Sequence, residues 1–174
     1  YKFGQESLTK LLTPKWQTVL TGQICSGIIV SSTLTLVLSL INSGMLYAML
    51  DETLQNYLNI GLILEVTLKI IIFSITLTLL SMFLVQITRK PIPSVIIIVS
   101  ILVITLSGIL RVVSPTLENL FPLTGAKSFA FGRVENNNPS EMYGLLLLLS
   151  QASIVTIMMY IKAWYKNKKE KKHE

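Results

Sequence analysis

The run from Gln17 to Ile41 contains no Asp, Glu, Lys or Arg. A bilayer core takes ~20 apolar residues to cross as a helix, so this run predicts a membrane span. Three more apolar runs follow at about 60–87, 94–113 and 143–164. Charged residues make up 14% of the 174-residue chain, against about a quarter in a soluble domain. The pattern predicts an all-α membrane protein with four transmembrane helices, preceded by a short cytoplasmic amphipathic helix. The boundaries read as 1–16 for that helix, 17–165 for the membrane domain and 166–174 for a basic tail.

Within the first run, Gln23, Gly27, Ser31, Thr35 and Ser39 recur every four residues. They form one small, weakly polar stripe, suited to close helix contact with hydroxyls bonding across it. Packing inside the chain is the favoured role, with a dimer seam or pathway wall as the other. Asn42-Ser43-Gly44 predicts a break, and Met45 to Asn59 a partly helical connection at the interface. The second run carries Glu65 and Lys69 at i, i+4, and ionisable groups in a span call for an explanation. Counting back from Arg89 and Lys90 puts both near the boundary opposite the basic end. An ion pair with a snorkelling Lys69 is favoured over an ion or substrate relay. Ser74, Thr78 and Ser81 make a second small polar stripe.

Arg89-Lys90-Pro91-Ile92-Pro93 predicts a tight basic turn, because proline lacks the amide hydrogen that a continuing helix uses. Residues 114–140 form the longest polar interruption and read as an external loop. Within it, Leu117, Leu120 and Phe121 repeat at i, i+3, i+4, which predicts a short helix dipping into the interface. The last run adds Ser150, Ser153 and Thr156, then an aromatic belt of Tyr160, Trp164 and Tyr165. The Lys-rich tail from Lys166 predicts contact with anionic lipid.

The net charge of +6 does not imply nucleic acid, because the bases gather at chain ends and between spans. With the first helix cytoplasmic, four crossings put Lys2, Lys10, Lys15, Arg89, Lys90 and the tail lysines inside. Only Arg111, Lys127 and Arg133 remain outside, with Lys69 in the span. The positive-inside rule therefore predicts a multi-pass protein of the cell membrane with a cytoplasmic C-terminus. A lone Cys25 excludes a disulfide framework, and a lone His173 in the tail leaves no histidine for chemistry inside the membrane. The chain opens on Tyr1 without a leader pattern, which predicts further sequence upstream.

Ahead of the first span stands Gly4-Gln5-Glu6-Ser7-Leu8-Thr9-Lys10-Leu11-Leu12-Thr13-Pro14. Leu8, Leu11 and Leu12 share one helical face, Glu6 and Lys10 stand i, i+4 on another, and Pro14 ends the helix. Glu6-Ser7-Leu8, then Leu11-Leu12-Thr13-Pro14, then an apolar span resembles the cytoplasmic loop of type-two ABC exporter permeases. Lys15-Trp16 and Gln23 depart from that family's usual residues. The resemblance implies that Glu6, Leu8, Leu11 and Leu12 dock on an ATPase subunit as a coupling helix, and that the chain corresponds to spans three to six. It also implies a re-entrant segment between the last two spans and a second membrane subunit, identical or homologous.

No phosphate-cradling Gly-x-x-x-x-Gly-Lys-Ser/Thr loop and no hydrolase or metalloprotease motif is present, so the expected chain is not an enzyme and binds no cofactor. ATP would sit in the partner. The apolar spans suit an amphipathic or hydrophobic cargo. An Ile-, Lys- and Asn-leaning composition looks like a low-GC Gram-positive bacterium, and relatives of this kind often handle antimicrobial peptides such as bacteriocins, lantibiotics or bacitracin-like peptides, or other drugs. Two other classes stay open. One is a membrane sensor or immunity protein without an ATPase. The other is a fragment of a secondary transporter, in which Glu65 would be essential.

Overall fold

The computed structural model describes residues 16–51, 55, 59–114, 121, 123–129 and 141–170. These residues form six helices and, among themselves, no strand. They are α1 (Trp16–Met49), α2 (Ile60–Thr88), α3 (Pro91–Ser107), α4 (Ile109–Val113), α5 (Gly125–Phe129) and α6 (Glu141–Glu170). α1, α2 and most of α6 (Glu141–Lys166) are long and apolar enough to cross a membrane.

α1 runs through Asn42-Ser43-Gly44 to Met49 instead of ending at Ile41. None of those three residues lacks an amide hydrogen, and one glycine in a helix costs only ~1 kcal/mol. A Cβ added at Gly44 would meet nothing within 4 Å, so tertiary contact does not force a break either. The helix ends where Gln55 turns back on it: its Nε2 donates to the carbonyls of Tyr47 (3.1 Å) and Leu50 (2.9 Å). Those are carbonyls that a helix end leaves without intrahelical partners.

α2 opens on Asn59, whose side chain accepts from the Gly61 amide, and closes with Arg89 in the left-handed conformation (φ 56°). The predicted basic turn follows. Thr88 is its hub: its Oγ1 donates to Leu84 O or Lys90 O (2.9 Å each) and lies 2.7 Å from Ser94 Oγ. Pro91 then begins α3, a position where its missing amide costs nothing.

The expected continuous span over 94–113 is broken. Gly108 adopts φ 71°, ending α3 after 17 residues, and α4 adds only five. α3 is therefore a shorter apolar helix, at the low end of what spans a bilayer.

α1, α2 and α6 pack against one another, and α3 lies on α2. Leu20, Ile24, Leu79 and Met159 form one buried cluster where the three long helices meet. A second is built on Leu123, Ala126, Phe129 and Leu148, with Phe73 and Leu102 against it. The apolar residues left over face outward: Leu34, Leu38 and Ile41 on α1, Val95 and Val99 on α3, Ile154 and Ile157 on α6 are all exposed. Surfaces this apolar belong in lipid.

Candidate functional site

The structure divides the α1 stripe. Gly27, Ser31, Thr35 and Ser39 are half-buried, and three of them meet or approach α2. Thr35 donates to Ser74 Oγ (2.9 Å), and Ser39 Oγ lies 2.6 Å from Thr67 Oγ1. A Cβ at Gly27 would come within 2.7 Å of Met82 Cε and 3.4 Å of Thr78 Cγ2. Ser31 donates back to Ile28 O. The two small polar stripes thus meet along one α1–α2 seam. Gln23 is the exception: it is exposed and lines an open groove beside that seam.

Glu65 and Lys69 form their pair at 2.7 Å, and a third member joins them. Glu141, in the first turn of α6, accepts from Lys69 Nζ at 3.1 Å. The ammonium side chain is 15% exposed between carboxylates that are 61% and 52% exposed. The trio clasps α2 to α6 at the end where α6 begins. Sequence spacing missed Glu141, because it lies 72 positions from Lys69.

Below the clasp, the chain between α4 and α6 enters the bundle. Leu123 is 1% exposed and takes φ 67°, a backbone that L-residues other than Asn and Asp rarely adopt. Gln151 holds this turn. Its Oε1 accepts from Leu123 N (3.0 Å) and its Nε2 donates to Phe121 O (3.4 Å). Gly125 lies so close to α6 that a Cβ there would fall 2.5 Å from Gly144 O. Gln151 stands ten positions into α6, about 15 Å along its axis. Irregular backbone survives at such depth only when protein supplies its hydrogen bonds. So part of the 114–140 stretch packs inside the bundle, and Phe121 lies in a bend rather than a helix. Leu117 and Leu120 fall outside the described residues. A cavity of about 150 Å³ lies beside the turn, lined by Thr76, Leu80, Leu123 and Gln151 among others. A lone amide within the apolar α6 run was the available sequence signal for Gln151.

At the other end of the bundle, Lys162 Nζ donates to Gln86 O (2.6 Å), and Lys166 Nζ stands 3.3 Å from the centre of the Trp16 ring. Tyr160 Oη lies 2.8 Å from Thr21 Oγ1, and Trp164 and Tyr165 meet edge to face. The expected belt therefore fastens α6 to α1 as well as facing outward. On this same side Arg89 closes α2 and Lys90 precedes α3. Among the described residues, no group of three His, Cys, Asp or Glu side chains could hold a metal ion. Glu6, Leu8, Leu11 and Leu12 lie outside the described residues.

Long apolar helices with lipid-suited outer faces, a hydroxyl-lined seam and a turn held by a half-buried amide define a multi-pass α-helical membrane protein. No protein family, curated protein or solved structure matches the chain.

Proposed function

We propose that the chain is the membrane-spanning subunit of an ABC exporter. It moves an amphipathic or hydrophobic cargo, of the antimicrobial-peptide or drug kind, and a separate ATPase subunit supplies the energy. α3 with α4 makes the third of four crossings, broken at Gly108. The end bearing Arg89, Lys90, Lys162, Lys166 and Lys168 faces the cytoplasm, as the positive-inside rule requires.

The observation that carries the proposal is where the Gly4–Pro14 stretch joins the bundle. α1 begins at Trp16, within reach of Lys166, and so at the basic end. The stretch resembling a coupling helix is thereby attached at the end where a cytoplasmic ATPase would reach it. ATP-driven closure of the ATPase dimer would push on that helix and, through α1, on the seam with α2. The turn lodged against α6 lends support as well, since the resembled family carries a re-entrant segment between its last two spans. A second membrane subunit, identical or homologous, completes the transporter.

The test is purification from the native membrane in mild detergent, with identification of what comes with the protein. The expected result is a stoichiometric ATPase subunit that is lost when Leu8, Leu11 and Leu12 are made polar. A protein that emerges alone, or whose partners ignore those changes, overturns the proposal and favours a sensor or immunity protein. Flux abolished by Glu65→Gln with no ATPase present would favour a secondary transporter.

A further inference from the structure

The α1–α2 seam keeps one register over much of its length, because the helices run antiparallel and both stripes repeat every four residues. Thr35 donates to Ser74 (2.9 Å). Two steps of four back along α1 and two steps on along α2, Gly27 faces Met82. One further step on each helix, about 6 Å, brings Gln23 opposite Gln86. That rung is unmade. Both glutamines line the groove of about 920 Å³ between α1 and α2 near the basic end. Neither side-chain amide has a hydrogen bond among the described residues; only the backbone carbonyl of Gln86 is taken, by Lys162. An amide in a span costs free energy until it finds a partner, and here a partner of the same kind stands across the groove.

The surroundings of this rung permit movement. The far half of the seam is fixed by the Thr35–Ser74 bond and by Ser39 Oγ at 2.6 Å from Thr67 Oγ1. Gln23 stands about 18 Å along α1 from Thr35, so a small tilt at the bonded half is enlarged there. Between them come Gly27, which has no side chain, and Met82, whose unbranched thioether adapts to the space left to it. Leu20, Ile24, Leu79 and Met159 keep the helices packed beside the groove. α6 holds each wall through a separate side chain, Tyr160 on Thr21 and Lys162 on Gln86 O, and the lysine's long stem follows movement of α2.

We propose that the seam has a second, closed state, in which the Gln23 and Gln86 amides hydrogen-bond to each other and the groove between them is lost. Nε2 of one glutamine donates to Oε1 of the other. The open and closed forms exchange by a tilt of residues 16–30 of α1 about the Thr35–Ser74 contact. Closure is a property of this chain alone and needs no ATPase partner.

Distance measurement between two spin labels tests this on the full chain in lipid nanodiscs. One label goes on Cys25, the chain's lone cysteine, and the other on Ile87→Cys; both positions are exposed and neither lines the groove. The expected result is two distances, the shorter belonging to the closed state. Gln23→Leu and Gln86→Leu should each lower the ratio of shorter to longer by about threefold, the weight of one hydrogen bond between helices in a membrane. The two together should lower it no further than either alone, since all three variants lose the same contact. Either single change tests the contact should the other fail to fold. A single distance, a ratio that neither change moves, or effects that add would each overturn the proposal. So would a shorter distance that vanishes on dilution with unlabelled protein, which would place it between two copies.

Discussion

Gln151 gives the turn at Leu123 the hydrogen bonds that water gives an exposed loop. One amide side chain accepts from Leu123 N and adds a donor to Phe121 O, which Thr124 also serves through its amide and hydroxyl. Gln151→Leu keeps the volume and leaves Leu123 N without its partner, while Phe121 O keeps the bonds from Thr124 N (3.3 Å) and Thr124 Oγ1 (2.9 Å). The orphaned amide costs about 1–3 kcal/mol if it stays dry, so a drop in detergent melting temperature is expected. The Lys69 clasp should behave differently. Its carboxylates are more than half exposed, and exposed ion pairs contribute roughly 0–1 kcal/mol. A double-mutant cycle of Lys69→Met and Glu141→Gln should therefore give a coupling energy below about 1 kcal/mol. A larger value would mean the clasp is sheltered from water. The i, i+4 half of this clasp was legible in the sequence, because helix geometry alone brings Glu65 to Lys69. Glu141 was not, since which helix stands beside α2 is decided by packing across the chain.

At the scale of elements, two glycines hold shapes that other residues would resist. Gly108 takes φ 71°, where alanine costs about 1–2 kcal/mol. Gly108→Ala should modestly destabilise the protein, and hydrogen exchange should localise the change to 107–114. Gly125→Ala should be worse, because its new methyl would meet the backbone oxygen of Gly144, which cannot rotate away. The expected readout is loss of the turn's docking, seen as a new reactivity of a cysteine placed at Leu123. The long helices were readable from long runs poor in charge, and the α1–α2 seam from small residues every four positions. Helix ends were less so. Asn42-Ser43-Gly44 resembles a stop, yet the helix continues through Met45–Met49, because good helix formers follow. Gly108 resembles an ordinary glycine in a span, because a left-handed end depends on what the chain does next.

Over the molecule as a whole, charge among the described residues is largely sorted by end, Arg111 apart. Arg89, Lys90, Lys162, Lys166 and Lys168 lie at one end, while Asp51, Glu65, Lys69 and Glu141 lie toward the other. If the basic end is cytoplasmic, a cysteine at Lys168 in a Cys25→Ser background should resist a membrane-impermeant maleimide added to intact cells. It should react once the cells are opened; labelling of intact cells would invert the topology.

The Leu123 turn also constrains how the protein is made. Apolar helices can enter the bilayer one at a time as they are synthesised, each with its backbone already satisfied. The turn cannot, because the amide that satisfies it belongs to α6, which leaves the ribosome later. Residues 121–129 must therefore wait, outside the hydrocarbon, until α6 is in place, and their docking closes the assembly. A chain interrupted before Gln151 would hold its early helices in the membrane and still lack the buried cluster around Leu123.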